Sequence, residues 1–328
     1  MTSRVNYSYT PDDVDRAFNE IAEQLFDKTR DIDQSTNPTP KALIVAGVQG
    51  SGKTYLLENT LLKDPKYSNY VRLYLPEYRK KHPQYADMEG IGVLHAYQHT
   101  EQFTWALGAK IFQYAFANKY NFIMETALDS IDFAAFPMTA ANDGYQFEVH
   151  LIGCKKEFAY LSTISRALKS LKDKALERFV DLSAIEASMA NAQSILTAFE
   201  SACLLVPGSE IIMYERGFGV LKDRTVVCHS RCDAPEQLTP QPINTRDGQV
   251  ISPAENTVRI ERTPILNVPC TYNNYATIVN AQIFTRDERG ETLKECHLAL
   301  SQVAEFAKHI PYAVYSDLYA YIVKYVFR

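Results

Sequence analysis

Apolar residues in this chain fall into two rhythms that alternate along it. Val14, Phe18, Ile21, Leu25 and Phe26 recur at helical spacing, which predicts one amphipathic helix from Pro11 to about Thr29. Thr10-Pro11-Asp12-Asp13 supplies its start: a capping hydroxyl, proline at the first helical position, then acids in the first turn. Ala42–Ala46 is a continuous apolar run of strand length, and a helix is expected over Tyr55–Leu62. Further strands are predicted at Tyr70–Leu75 (stopped by Pro76), Tyr120–Met124, Phe147–Gly153 and Ile211–Tyr214. Helical spacing fills the intervals at about Val93–Lys119, Ile131–Asn142, Glu157–Lys172 and Leu182–Cys203. Trp105, within the longest of these and near Leu107, Ile111, Phe112 and Phe116, is expected in the core rather than on a base-stacking platform. Buried strands alternating with helices mean a parallel sheet covered by helices on both faces.

From about Val226 the pattern changes. Cys228–Pro269 is rich in Pro, Thr, Asn and Gln, with brief extended stretches such as Thr257–Glu261. Thr277–Phe284 reads as a strand followed by a turn at Asp287–Gly290, and helices at about Leu293–Ala307 and Pro311–Val326 close the chain. Two units are therefore predicted, residues 1–225 with the parallel sheet and 226–328 as a C-terminal α+β extension. The extension is either a small domain or an appendage wrapping the first unit, and is expected to be dispensable for nucleotide binding while shaping acceptor or partner choice.

Composition narrows the class. With 328 residues, 46% hydrophobic and 22% charged, the chain can build a sizeable core. A formal charge of −5 offers no broad basic field, so no nucleic-acid partner is expected. Nothing in it approaches a membrane span and its polar start is no secretory signal, which predicts a cytoplasmic protein without a membrane partner. The six cysteines show no disulfide framework spacing; Cys228-His229-x-x-Cys232 with Cys296-His297 lacks the paired spacings of a zinc site.

The chemistry enters at Gly47-Val-Gln-Gly-Ser-Gly-Lys-Thr54, which fits G-x-x-x-x-G-K-[ST] at every fixed position between a strand and a helix. Glycines let the backbone turn successive N–H groups onto a phosphate, and the helix that follows offers its positive end to the same anion. Gly47, Gln49, Gly50, Ser51, Gly52, Lys53 and Thr54 are thus the candidate ATP-binding residues, with Lys53 reaching the β/γ-phosphates and Thr54 a Mg²⁺ ligand. In such a sheet ligands bind beyond the carboxyl ends of the strands, which brings the Leu75–Tyr78 corner and Glu125 to the same cleft.

Across about Pro11–Asp223 the chain resembles the zeta-toxin family of P-loop kinases. The matches are the helix before the loop, the loop itself, Arg79-Lys-Lys-His82-Pro83 with Tyr85, Asn121-Phe-Ile-Met-Glu125-Thr126, Leu161-Ser-Thr-Ile-Ser-Arg166, Glu177-Arg178, and Ser209–Gly219 with its Tyr-x-Arg. The resemblance implies ATP- and Mg²⁺-dependent phosphorylation of a hydroxyl of a nucleotide sugar such as UDP-N-acetylglucosamine, and a small helical antitoxin as possible partner. It also implies lid arginines at Arg166 and Arg178, and Glu125 as metal or substrate contact. Two departures stand out. The family strand ends Asp-x-Asp, its second aspartate being the catalytic base, where this chain has Tyr74 and Pro76, with Glu77 one residue on. The arginine that follows the family's Glu-Gly-Thr is absent, Asp129 and Ser130 occupying that neighbourhood. Either Glu77 swings in as base, or the acceptor is another nucleotide-containing molecule, or the chain is a nucleotide-binding pseudokinase with a partner-binding tail.

Overall fold

Lys41–Ala46 (strand β1) is apolar on both sides because both of its faces are covered. Ala42 to Ala46 are without solvent exposure, Ala42, Ile44 and Ala46 facing one core and Leu43 and Val45 another. This is a computed structural model of the chain, describing residues 7–26, 39–74, 76–173, 180, 182–217, 224–244, 249–251, 271–281, 285–305, 310 and 312–326.

Seven strands form the main sheet. In chain order they are β1, β2 (Val71–Arg72), β3 (Phe122–Thr126), β4 (Gln146–Cys154), β5 (Glu210–Arg216), β6 (Arg224–Ala234) and β7 (Gln237–Pro240), arranged β2-β3-β1-β4-β5-β6-β7. The first five in that arrangement are parallel, whereas β6 and β7 are antiparallel to their neighbours. A two-stranded ribbon, β8 (Ile243–Asn244) with β9 (Val250–Ile251), lies outside it. The larger core packs α1 (Pro11–Phe26), α5 (Glu101–Ala117), α6 (Phe136–Asn142), α7 (Lys156–Lys172) and α8 (Leu182–Leu205) around the sheet. The smaller, on the Leu43 and Val45 face, is closed by α2 (Lys53–Asn59) and the turns over residues 61–70. No helix among the described residues is long and apolar enough to cross a membrane, and no disulfide joins the five described cysteines.

Local sequence sets the start of the first helix. Thr10 and Asp13 exchange hydrogen bonds, the Asp13 carboxylate accepting from the Thr10 amide at 2.9 Å and the Thr10 hydroxyl from the Asp13 amide at 3.3 Å, a capping box for α1. The helix expected over Val93–Lys119 is instead two, α4 (Val93–His99) and α5, after α3 (Tyr85–Ile91). They break at buried Thr100, whose hydroxyl donates to Ala96 O (2.7 Å) and accepts from Arg79 (3.1 Å). Trp105 is not core: it is 68% exposed, since Phe103, Leu107, Ile111 and Ala115 form the inward stripe of α5 and the indole lies off it. The second strand keeps only Val71–Arg72, because a 3-10 helix over Pro76–Lys81 follows closely.

The C-terminal third departs furthest from expectation. Where Thr277–Phe284 predicts a strand, the chain forms α9 (Thr271–Val279), with Tyr275, Ile278 and Val279 buried at helical spacing. The turn expected at Asp287–Gly290 is the first part of α10 (Arg286–Glu305), and α11 (Tyr312–Val326) closes the chain. Thr257–Glu261 lies outside the described residues. The boundary expected between residues 225 and 226 falls inside β6, which pairs with β5 on both sides of it. Ile278 packs where Gly153 of β4 leaves room, and Lys155 meets Glu288 of α10 through both carboxylate oxygens, at 3.0 and 3.1 Å. The sheet and its last helices are one packed body.

Candidate functional site

Residues 47–52 leave β1 at the sheet's centre, between β3 and β4, and enter α2. Gly50 and Gly52 hold positive φ (+81° and +91°), where other residues are strained. Each is also pressed close. A Cβ on Gly50 would sit 2.1 Å from Ala159 O of α7, and one on Gly52 would sit 2.1 Å from the Arg224 guanidinium. Arg216 of β5, itself buried, donates to Gly50 O and to the Ser162 hydroxyl (2.9 Å), and Arg224 of β6 donates to Gly52 O at 3.1 Å. The loop is clamped from outside by two arginines.

Lys53 opens α2 and folds back over this loop, its Nζ donating to Gly47 O (2.8 Å) and Val48 O (3.2 Å). Burial lowers the ammonium to about 8; Glu125 pulls it up, Arg166 lowers it further and Asp129 again raises it. Thr54 donates its hydroxyl to Glu125 Oε2 at 2.8 Å. Glu125 stands beside Val45 in the β1–β3 register, and its other oxygen lies 3.7 Å from Arg72 of β2. Of the expected site residues, Lys53, Thr54, Glu125 and Arg166 therefore converge. Arg178 lies outside the described residues. Glu77 is exposed on the 3-10 helix and is not part of the cavity wall described next.

A cavity of 680 Å³ opens beside the loop. Gly50, Gly52, Lys53 and Thr54 line one side; Ser162, Ser165 and Arg166 of α7, Tyr214 and Arg216 of β5, Arg224, and Glu295 of α10 line the others. Tyr55 offers an exposed ring with the Arg224 guanidinium 4.6 Å from its centroid. Four cationic side chains around a glycine-rich backbone suit a polyphosphate. The hydroxyl and carboxylate oxygens of Thr54 and Glu125 suit a hard divalent cation such as Mg²⁺. The residues present thus fit ATP and its metal.

Sequence reasoning noted Asp129 only as a departure from the family pattern and gave it no role in the site. Gln49 Nε2 donates to its Oδ2 at 3.4 Å, Asn191 Nδ2 of α8 donates to its carbonyl at 2.9 Å, and its charge acts on Lys53. It also missed the Arg216 and Arg224 clamps and Glu295, which come from distant segments. The Tyr-x-Arg spacing of Tyr214 and Arg216 was the one signal available for them. Arg79, within the expected basic cluster, is a buried structural residue, 3.7 Å from the Tyr97 ring centroid and donating to Tyr97 O at 3.0 Å. From Tyr214 a polar chain runs through buried His150 to Glu148 and the exposed Lys66. His150 meets the Tyr214 hydroxyl through Nδ1 and Glu148 through Nε2 (2.9 Å each), and Glu148 accepts from Tyr67 and Lys66. Burial acts to raise the Glu148 carboxyl, but the His150 and Tyr67 hydrogen bonds with the Lys66 charge overcome it and hold it at about 2.

Residues 6–229 match the family described as zeta toxin. Toxin PezT of Streptococcus pneumoniae is 26% identical over 137 residues, 40% of this chain, so the chain spans about half (52%) of that relative's length. A structure from the PezAT chromosomal toxin–antitoxin system of that bacterium superposes with a TM-score of 0.58 at 15% identity, over 91% of this chain and 98% of its own. The AvrRxo1-ORF1:AvrRxo1-ORF2 complex with sulphate ions gives a TM-score of 0.52 at 11% identity, over 96% and 86%. At such identities these structures speak to the fold, a mostly parallel sheet flanked by helices.

Proposed function

The chain belongs to the zeta toxin family, and from that premise we propose that it is a phosphotransferase that binds ATP and Mg²⁺ beside residues 47–54 and phosphorylates a hydroxyl of a nucleotide sugar such as UDP-N-acetylglucosamine. One observation carries this reading: the Thr54 hydroxyl and Glu125 carboxylate meet at 2.8 Å, with Lys53 and Arg166 beside them. The transferring phosphoryl group needs positioning and charge neutralisation more than covalent help. Lys53 exchanges its two backbone carbonyls for β/γ-phosphate oxygens. Arg166, exposed on the cavity wall, neutralises charge on the moving group, a role we propose for Arg178 as well. Thr54 and Glu125 would hold the Mg²⁺, whose charge would neutralise the phosphate oxygens. Arg216 and Arg224 keep the loop's shape.

A different nucleotide-containing acceptor is the second reading, and Tyr74, Pro76 and Asp129 at the acceptor-side positions favour it. The test is incubation with ATP, Mg²⁺ and a pool of nucleotide sugars and dinucleotides, followed by mass spectrometry. Gain of one phosphoryl group by a nucleotide sugar supports the first reading, and gain by another nucleotide supports the second. ATP binding without any transfer leaves a pseudokinase. Because a neighbour in fold comes from a toxin–antitoxin system, a small helical antitoxin is the partner we propose, checked by co-purification of a neighbouring gene product.

A further inference from the structure

We propose that Asp129 is the carboxylate that takes the proton from the acceptor hydroxyl, in place of the acid absent from the end of β2; this rests on the phosphotransferase reading above. The end of β2 cannot supply that base at neutral pH. Burial pushes the Tyr74 phenol up to about 12, and its oxygen accepts from Arg79 Nε at 3.2 Å. Glu77 is exposed on the 3-10 helix, and the charges that act on Lys53 are those of Glu125, Arg166 and Asp129, not Glu77. Glu125 is already engaged by Thr54 and Arg72.

Asp129 is held beside residues 47–54 through Gln49, and its support is built into the backbone. Leu128, fully buried, takes φ +61°, a left-handed conformation that costs a residue with a branched side chain and persists only where the surroundings enforce it. Here they do. The Leu128 amide donates to the Thr126 hydroxyl at 3.2 Å, and Asn191 grips the Asp129 carbonyl at 2.9 Å. This turn directs the Asp129 side chain to the nucleotide loop, where Gln49 gives it its one hydrogen bond among the described residues, at 3.4 Å. Lys53, Glu125, Arg166 and Asp129 then form one electrostatic group, in which Asp129 alone is an exposed carboxylate not tied to a cation or to Thr54. Such a group can receive a hydroxyl and its proton.

The step balances. The acceptor O–H proton passes to an Asp129 oxygen while the acceptor oxygen bonds to the γ-phosphorus of ATP. The bond from that phosphorus to the β–γ bridging oxygen breaks, and ADP leaves with the electron pair. Asp129 then returns its proton to solvent.

The test compares the parent with Asp129→Asn, Asp129→Glu and Glu77→Gln, measuring nucleotide binding by calorimetry and phosphoryl transfer across pH. Asparagine keeps an oxygen for Gln49 but accepts no proton. Asp129→Asn is expected to bind ATP within about 3-fold of the parent and lose about 10²–10⁴-fold in kcat. Asp129→Glu should recover part of the rate, and Glu77→Gln should leave it unchanged. Parental turnover by Asp129→Asn overturns the assignment alone, as does a loss confined to Glu77→Gln. A loss of nucleotide binding in step with turnover shows a structural role and overturns it too. A parent that binds ATP yet transfers to no acceptor overturns both this inference and the reading beneath it.

Discussion

At the scale of single residues, Lys53 carries the plainest consequences. On the proposed reading its two hydrogen bonds to loop carbonyls would be exchanged for phosphate oxygens, so Lys53→Ala should weaken ATP binding by about 10²-fold or more; calorimetry showing parental affinity would refute the site. Its ammonium, lowered to about 8 by burial, sets a sign for pH. An anion favours the charged form, so ATP affinity should hold below pH 8 and fall as pH rises beyond it, because binding then requires proton uptake. Arg166→Ala should lower kcat by about 10³-fold while sparing affinity, since the group acts on charge that develops in transfer; equal kcat in single-turnover assays would remove it from the mechanism. Lys53, Thr54 and the loop were legible because the phosphate cradle is one continuous stretch. Asp129 was not, since its position depends on a left-handed leucine and on Asn191, far away in sequence.

At the scale of elements, the strands and their alternation with helices could be read because buried parallel strands are continuous apolar runs. Two misreadings share a cause. Thr277, Ile278 and Val279 suggested a strand by β-branching, yet Tyr275, Ile278 and Val279 already had the spacing of one helical face. Asp287–Gly290 suggested a turn by composition. Three residues apart, Thr285 and Glu288 in fact form a capping box, the Glu288 carboxylate accepting from the Thr285 amide at 2.8 Å and the Thr285 hydroxyl from the Glu288 amide at 3.2 Å. Glu288 thus starts α10 and fastens it to Lys155. Glu288→Ala should destabilise the fold by about 3–5 kcal/mol by removing the carboxylate that pairs a buried ammonium, and denaturant melts with an unchanged midpoint would show the pair to be idle. Within β4, the Glu148 carboxyl sits near 2 against an ordinary 4.5. The native state therefore holds its charge while the unfolded chain takes up protons. This contribution is complete above about pH 4.5 and drains away as pH falls toward 2. Glu148→Gln should cost on the order of 2–3 kcal/mol at neutral pH, and the gap in Tm between it and the parent should narrow between pH 5 and 3.

At the scale of the whole molecule, the change in composition near residue 226 suggested a separable tail, because composition cannot show that a sheet changes direction and continues. β6 starts before that point, contributes Arg224 to the loop clamp, and covers the edge of β5. A chain ending at residue 225 should therefore be insoluble or fail to bind ATP, as read by soluble yield and calorimetry; a soluble monomer with parental affinity would restore the two-unit picture. The exposed indole of Trp105 has a consequence of another kind. It is the chain's one tryptophan, and at 68% exposure it already sits in water. Its emission colour will barely shift on unfolding. Folding will be visible through resonance transfer from the 21 tyrosines, which fades as the chain expands and the donors move out of range.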